Sequence, residues 1–301
     1  MKKCLSILFL GITFFTTSLF ANELTLYFIH APKTINWSTP YTLSKTTVEN
    51  SLIPKNLGGS YSIGHVYGEI NCPRLNVHEF TGQTSTTDAD RDRVLKLHWG
   101  LGAMIGSEPG KLQSTEEVKG ALSSLYKSGR VAILKMRISE NACERVVDYL
   151  KEYRDLKLGD IYGGLDKRPL YKEGSGCSAF GASLMEVAGV LLPEQKAAWS
   201  LQLGVPYRYV GGPRTGKKVT IAQMLVAFNS KWTKEGDQNG LWIDFFDPSL
   251  MNKWVKKTHK LVKKGKSDFP FATEAFIRNK AQGVYFDMTS IPTPTGPIFY
   301  E

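Results

Sequence analysis

The sequence holds few of the residues from which metal centres and disulfide scaffolds are built. Its 301 residues include four cysteines and five histidines. The short segment HEF lacks the second histidine of a zinc-binding helix, which argues against a metallopeptidase. No internal repeat, low-complexity linker or nucleic-acid-binding module is recognisable. These absences favour a globular protein that needs no metal or organic cofactor and that binds no nucleic acid.

Long apolar runs are absent after the first twenty residues. The N-terminal stretch has two lysines, an apolar segment from Leu5 to Phe20 and a small residue, Ala21, where a signal peptidase would cut. It is short for a membrane anchor, and no later segment is long and apolar enough to span a bilayer. We therefore expect residues 1–21 to be a signal peptide cleaved near Ala21. The mature product would be exported, either to a periplasm or out of the cell.

Acidic residues are fewer than basic ones, with 28 Asp and Glu against 38 Lys and Arg. The formal charge of +10 falls by two when Lys2 and Lys3 leave with the signal peptide. An excess of positive charge favours anionic surroundings such as cell-wall polymers or phospholipid headgroups, and charge does not select between them. The hydrophobic fraction of 42% is sufficient for a substantial core.

Cleavage would leave an odd number of cysteines, Cys72, Cys143 and Cys177, in a compartment where disulfides persist. One pair and one free thiol is the simplest arrangement. Cys72 follows a strand-like run and Cys143 opens a helix-like run, so these two would join neighbouring elements. We expect this pairing, although three pairings are open.

Hydrophobic periodicity predicts a mixed α+β chain. The segment YSIGHVYGEINC alternates as a strand whose odd positions share one face, and RLNVHEFTG follows as the second strand of a hairpin or meander. A helix, a strand and a helix come next, in the segments STEEVKGALSSLY, RVAILKMRI and SENACERVVDYLKEY.

Cys177 lies in the segment GSGCSAF at the start of a helical apolar stripe. The stripe consists of Phe180, Leu184, Val187, Ala188 and Leu191, with the cysteine one turn before it. The first turn of a helix offers partial positive charge and free backbone N–H groups, both of which favour a thiolate. Cys177 is therefore the candidate nucleophile.

A cysteine nucleophile needs a base and a group that orients the base. His65 is the best placed histidine. It lies in a strand with Gly64 and Gly68, which carry no side chains and leave space on the opposite face of the strand. The next strand offers His78 and Glu79, of which one would face His65 across the hairpin. Glu79 is favoured, because a carboxylate orients an imidazole and stabilises its charged form, and His78 is the second candidate. A metal site made of these three residues is the remaining alternative.

The motifs IGHVYGEI, VHEF and GCSAF, in this order, resemble the NlpC/P60 superfamily of papain-like cysteine hydrolases in its circularly permuted form. The resemblance covers about residues 58 to 192. It implies an antiparallel sheet packed on the cysteine-bearing helix and a pair of Cys177 and His65, with Glu79 or His78 as third member. Family members act on amides or esters, including cell-wall peptides. His65 and Cys177 are 112 positions apart, and the segment between them holds an added helix, strand and helix.

The resulting functional hypothesis is an exported cysteine hydrolase or acyltransferase that forms a thioester on Cys177. Its substrate would be a cell-wall peptide or another acyl compound. Tyr67 and Trp99 would line the substrate cleft. The rival hypothesis is a non-catalytic exported protein that binds the cell wall or a membrane surface, in which Cys177 fills space on its helix stripe.

Residues 22–200 would form the papain-like core, and residues 201–301 a mainly helical C-terminal extension. Within the extension, Asp247 and Pro248 are a suitable N-cap and first helical position. The helix that follows is basic and amphipathic, with lysines over much of its surface. Those lysines form either a solvated outer face or a surface that holds the protein near an anionic wall or membrane.

Overall fold

The structure is a computed structural model that describes residues 21–54, 60–87, 89–267 and 269–301. Residues 1–20 of the predicted signal peptide lie outside these ranges. Within them, no helix is both long and apolar enough to cross a membrane.

Six strands form the central sheet in the order β10, β11, β6, β1, β2, β3. Their bounds are Glu23–Ile29 (β1), His65–Cys72 (β2), Val77–Thr81 (β3), Val131–Arg137 (β6), Ala272–Arg278 (β10) and Ala281–Asp287 (β11). Neighbouring strands are antiparallel, except that β11 runs parallel to β6. The expected antiparallel sheet is therefore corrected to a mixed one, because β11 joins β6 after a long crossover that includes a helix.

Helices surround the sheet, and the α+β class is confirmed. The helices of the described residues are Pro40–Ser51 (α1), Ala89–Leu95 (α2), Thr115–Lys127 (α3), Glu140–Asp155 (α4), Cys177–Val187 (α5), Pro193–Trp199 (α6), Ile221–Leu225 (α7) and Pro248–Lys263 (α8). Two smaller sheets consist of Gln83–Ser85 (β4), Glu108–Leu112 (β5) and Ile161–Tyr162 (β7), and of Ser200–Pro206 (β8) and Gly240–Phe246 (β9).

The middle strands β1, β2 and β6 of the central sheet are largely buried on both faces, to which successive residues of a strand point in turn. On one face, side chains such as Leu26 and Val66 pack against α4, α5 and α8 in the largest core cluster. On the other face, Tyr27 and Tyr67 pack against α3. Each fully buried large apolar side chain contributes about 1.5–3 kcal/mol to folding. The sheet is thus the layer that positions every neighbouring element.

The residues after 200 do not form a mainly helical extension. Strands β10 and β11 complete the central sheet beside β6, and β8 pairs with β9. Val255, Val284 and Phe286 are fully buried in the same cluster as Leu26 of β1. The prediction of a separate extension is therefore corrected. The residues after 200 share the main core, because β11 pairs with β6 and buries its apolar side chains there.

The basic amphipathic helix is present as α8. The Asp247 side chain accepts hydrogen bonds from the backbone N–H groups of Ser249 and Leu250, and Pro248 occupies the first turn. Apolar residues such as Trp254 face the core, while lysines occupy the outer face. The amphipathic character is confirmed, and the role of the lysines stays a prediction.

Cys72 and Cys143 form a disulfide, with their Cα atoms 5.9 Å apart, and Cys177 is a free, buried thiol. The bond joins the end of β2 to the first turns of α4. The predicted pairing is confirmed. It fixes the strand that begins with His65 to the helical layer that also contains α5.

Candidate active site

Cys177 is the first residue of α5, and backbone hydrogen bonds of Ser175 hold the chain that leads to it. Ser175 exchanges backbone hydrogen bonds with β7 and the residue after it: the Gly163 N–H donates to the Ser175 carbonyl (3.0 Å), and the Ser175 N–H donates to the Ile161 carbonyl (3.4 Å). Gly176 is the N-cap and supplies no side-chain cap. The first N–H groups of the helix therefore have no side-chain acceptor at the cap, beside the Cys177 thiol.

Burial dominates the chemistry of the thiol. Cys177 is only 5% exposed, and desolvation raises the pKa of its thiol. Hydrogen bonding from the Val66 backbone, the Tyr162 side chain and the Ser178 backbone lowers that pKa again, but by less. The resting sulfur is therefore a neutral thiol that is already surrounded by groups able to stabilise its thiolate.

His65 opens β2 and is equally enclosed. It is 2% exposed, and burial lowers the pKa of its imidazole to about 3. The Tyr61 ring stacks on the imidazole at 4.4 Å and the Tyr67 ring meets it edge-on at 4.5 Å. Among the described residues, Nε2 of His65 is buried without a hydrogen-bond partner. A neutral imidazole with a free ring nitrogen can serve as a proton acceptor.

Gln113, which directly follows β5, is the polar residue that the structure places next to His65. Its side chain raises the pKa of the imidazole and lowers the pKa values of Tyr61 and Tyr67. Its Oε1 is buried without a hydrogen-bond partner in the described part of the chain. The amide thus stands beside the imidazole without a well-aligned bond to it. Sequence analysis missed this residue, because a glutamine between a strand and a helix cap follows no periodic pattern.

The thiol and the imidazole have neighbours in common. The Val66 backbone that interacts with the Cys177 sulfur directly follows His65 in β2. The negative charge of a Cys177 thiolate raises the pKa values of both tyrosines that contact the imidazole. We call the set of Cys177, His65, Gln113, Tyr61, Tyr67 and Tyr162 the Cys177 cluster.

Glu79 is not part of this cluster. The register of the hairpin pairs Glu79 with Ile70, an even-numbered residue of β2, so its side chain lies on the face opposite His65. There the Glu79 carboxylate forms an ion pair with Arg154 of α4. The prediction that Glu79 orients His65 is therefore corrected.

His78 shares the face of His65 but lies at the far end of the strand. His78 pairs with Asn71. The pairing of β3 with β2 stops at Gly68, which leaves it three residues short of His65 along β2. The His78 imidazole is 54% exposed and lies 2.9 Å from a carboxylate oxygen of Glu69. The second candidate is corrected as well, because the hairpin turn places the start of β3 beside the end of β2.

The two residues predicted to line the cleft are separated. Tyr67 is fully buried in the Cys177 cluster. Trp99 lies elsewhere: the Arg93 guanidinium stacks over its ring at 4.8 Å, and its backbone forms a bridge with Val219. Gly212 is packed against the same ring. The placement of Trp99 in the cleft is corrected, because its indole instead fills the contact between two loops.

The described residues contain no group of three or more His, Cys, Asp and Glu side chains that could hold a metal ion. The alternative metal site of His65, His78 and Glu79 is not assembled, since those side chains lie on different faces or at different ends of the hairpin. The chemistry available in the Cys177 cluster is that of a thiol, an imidazole, an amide and three phenols.

The chain matches no family model, no curated protein and no solved structure. The relationship to the NlpC/P60 superfamily thus stays a prediction. The functional argument rests on the geometry of the Cys177 cluster alone.

Proposed function

We propose that this protein is an exported cysteine hydrolase or acyltransferase that acts on an amide or ester, such as one in a cell-wall peptide. The observation that supports the proposal is the buried, unpartnered Nε2 of His65 in the same cluster as the Cys177 thiol. Buried polar atoms in native proteins nearly always have a partner, and exceptions point to function. A nucleophile and a base that are both desolvated are typical of active sites that transfer acyl groups.

The reaction begins from two neutral groups. As the Cys177 sulfur attacks the substrate carbonyl carbon, its proton passes to His65, and the carbonyl oxygen becomes an oxyanion. The backbone N–H groups at the start of α5 stabilise that oxyanion. The imidazolium then gives its proton to the leaving amine or alcohol, and a thioester is left on Cys177. Water or another acceptor then loses its proton to His65 and attacks the thioester, and the Cys177 sulfur leaves and takes that proton back from His65 as the thiol re-forms.

A resting thiolate–imidazolium pair is not part of the proposal. Burial raises the pKa of the Cys177 thiol and lowers the pKa of the His65 imidazole, so both shifts favour the neutral forms. The neutral imidazole is the form that accepts a proton. Substrate binding has to supply the stabilisation that the charged pair lacks at rest.

Gln113, and not the expected Glu79 or His78, is the polar side chain beside His65. Its amide acts on the imidazole and raises the pKa of His65. A neutral amide orients the ring but stabilises its charged form less than a carboxylate does. The stacked ring of Tyr61 fixes the imidazole plane from the side. We propose that Gln113 and Tyr61 are positioning residues for His65.

The test is hydrolysis of p-nitrophenyl acetate and of an N-acyl amino-acid anilide by the mature protein. Cys177→Ser and His65→Gln are expected to lower kcat/KM by about 10²-fold or more, because each removes a group that takes part in proton transfer or bond formation. His78→Gln and Glu79→Gln are the matched controls and should stay within about threefold of the native protein. Native rates in Cys177→Ser would overturn the proposal.

The proposal of export draws on two features. The N-terminal stretch has the pattern of a signal peptide, and the disulfide between Cys72 and Cys143 is compatible with an oxidising compartment. We propose a periplasmic or secreted location, where the lysines of α8 would face an anionic wall or membrane. Fractionation of cells that produce the full chain, with the N-terminus of the product sequenced, tests this: an intact N-terminus in the cytoplasm would contradict it.

One observation favours the second candidate, a non-catalytic binding protein of the wall or membrane surface. Cys177 is almost fully buried and its thiol pKa is raised, as for a cysteine that only fills space. Under this hypothesis Cys177→Ala and the native protein would bind purified cell wall equally, and neither would hydrolyse an ester. Ester hydrolysis that depends on Cys177 and His65 decides against it.

A further inference from the structure

Arg130 lies at the same end of the sheet as the Cys177 cluster, directly before β6. Its carbonyl accepts hydrogen bonds from the His30 N–H (3.0 Å) and from the Asn252 side chain (2.8 Å). Its Nη2 donates to the carbonyl of Ser60 (2.9 Å), in the segment that leads to Tyr61. The main chain of Arg130 is thus fixed, and its guanidinium is held beside the residues that precede β2.

Two donors of this guanidinium are unused. In the described part of the chain, Nε and Nη1 of Arg130 are buried without a hydrogen-bond partner. Burial lowers the pKa of the group, and Tyr61 is the one neighbour that opposes this shift. Buried arginine donors are normally matched by carboxylates or phosphates, because an unpaired buried charge is costly. These two donors are therefore available to an anionic ligand.

Lysines lie near Arg130 in the described part of the chain. Lys256 reaches the carbonyl of Gly129 at 3.4 Å, and the charges of Lys253 and Lys256 both lower the pKa of His30. The carboxylate that interacts with His30 is Asp247, which already caps α8 and accepts a hydrogen bond from Trp37. The region therefore keeps an excess of positive charge, which attracts anionic ligands.

Resting on the proposed function, we propose that Arg130 binds a carboxylate or phosphate of the substrate and so selects acyl compounds that carry a negative charge near the scissile bond. Tyr61 connects the two sites, because it interacts with the Arg130 guanidinium and stacks on the His65 ring. The charged guanidinium keeps its Nε and Nη1 donors for an anion, and each can donate to an oxygen of a carboxylate or a phosphate. Arg130 is a specificity residue and takes no part in proton transfer.

The experiment compares p-nitrophenyl acetate, which is neutral, with mono-p-nitrophenyl succinate, which carries a carboxylate. The native protein should have a kcat/KM for the succinate ester about tenfold or more above that for the acetate. Arg130→Gln should abolish this preference while the rate on acetate changes by less than about threefold. Arg130→Lys, which keeps the charge without the planar guanidinium, should retain part of this preference. Arg137→Gln, at the other end of β6 with its side chain 3.9 Å from Asp287, is the control and should keep it fully.

Calorimetric titration of inorganic phosphate and of succinate into Cys177→Ser supplies a readout without turnover. Both anions should bind, and the double variant with Arg130→Gln should lose that binding. Thermal unfolding of each variant shows whether it is folded. Equal preference in the native protein and Arg130→Gln, with no anion binding, would overturn this inference even if the ester is hydrolysed. If both anions bind but no hydrolysis depends on Cys177, the proposed function is overturned instead. The difference in affinity between phosphate and succinate identifies the preferred anion.

Discussion

At the scale of single residues, the candidate site holds two neutral groups whose pKa values are shifted in opposite directions by the same cause. Desolvation raises the pKa of the Cys177 thiol and lowers the pKa of the His65 imidazole. A closed site of this kind suppresses the reactivity of the thiol until a substrate carbonyl is present. The cost of this arrangement should be visible as a dependence of stability on pH.

His65 should make the protein less stable in acid. Its folded pKa of about 3 lies below the unfolded value of 6.5, so the unfolded state binds the proton first as the pH falls. Between about pH 6.5 and pH 3, stability is therefore lost at about 1.4 kcal/mol per pH unit. From pH 7 to pH 5 the native protein should lose about 2 kcal/mol more unfolding free energy than His65→Phe. Equal losses in urea titrations would contradict the neutral imidazole.

Gln113→Glu should move the pH dependence of catalysis. A carboxylate beside His65 favours the charged imidazole and raises its pKa, so the acid limb of kcat/KM should shift upward by about one pH unit or more. Gln113→Ala, the control for lost orientation, should lower kcat without that shift. A profile of Gln113→Glu that superimposes on that of the native protein would show that Gln113 does not act through His65.

The residues of the site differ in how much local sequence says about them. Cys177 and His65 were identified because each lies in a periodic segment beside glycines. Gln113 is not predictable in this way, since its position beside His65 depends on contacts between segments far apart in sequence, which no local pattern records. Glu79 was favoured on its chemistry, and the register of the hairpin places it on the other face.

At the scale of elements, the position of the thiol depends on how closely α5 approaches β2. A Cβ atom added to Gly181 would lie 2.4 Å from Cγ1 of Val66, a distance that real Cβ atoms do not show. Leu184 of the same helix lies over Gly68 in the same manner. The glycines thus allow the helix to bring Cys177 against the backbone of the strand that begins with His65.

Gly181→Ala should destabilise the fold by about 1–3 kcal/mol through overpacking, and it should lower esterase activity by displacing α5. Gly120→Ala on α3 is the matched control. Apart from the backbone of α3 itself, no atom of the described residues lies within 4 Å of its added Cβ, so the change should stabilise the protein by about 0.5–1 kcal/mol. Denaturant unfolding and ester hydrolysis measure both effects. A neutral Gly181→Ala would show that the close approach of α5 is not required.

Element type was predictable where the period was long and regular. The helix α3, the strand β6 and the amphipathic helix α8 are all present as expected. The pairing of strands was less predictable, because register and order depend on contacts between residues far apart in sequence.

At the scale of the whole molecule, the C-terminal third completes the fold. Strand β11 pairs with β6 in the middle of the sheet order, and Phe286 lies in the main core. The composition of residues 201–301, with a conspicuous lysine-rich helix, favoured a separate piece. The contacts that contradict it are between segments more than a hundred residues apart.

A chain of residues 22–200 should therefore not fold on its own. It would leave β6 as an exposed edge and remove Val255 and Phe286 from the core. We expect no cooperative unfolding transition for 22–200, while 22–301 as the control unfolds cooperatively. A cooperative transition in the shorter chain would restore the original division at residue 200.

The central claim is that Cys177 and His65 act together on an acyl group. The most direct measurement is the mass of the mature protein after rapid acid quenching during the reaction with p-nitrophenyl acetate, followed by peptide mapping. The account predicts one acetyl group on the peptide that contains Cys177, formed quickly in the native protein and at least about 10²-fold more slowly in His65→Gln. An adduct confined to lysines, or one on Cys177 that forms equally fast without His65, would contradict it.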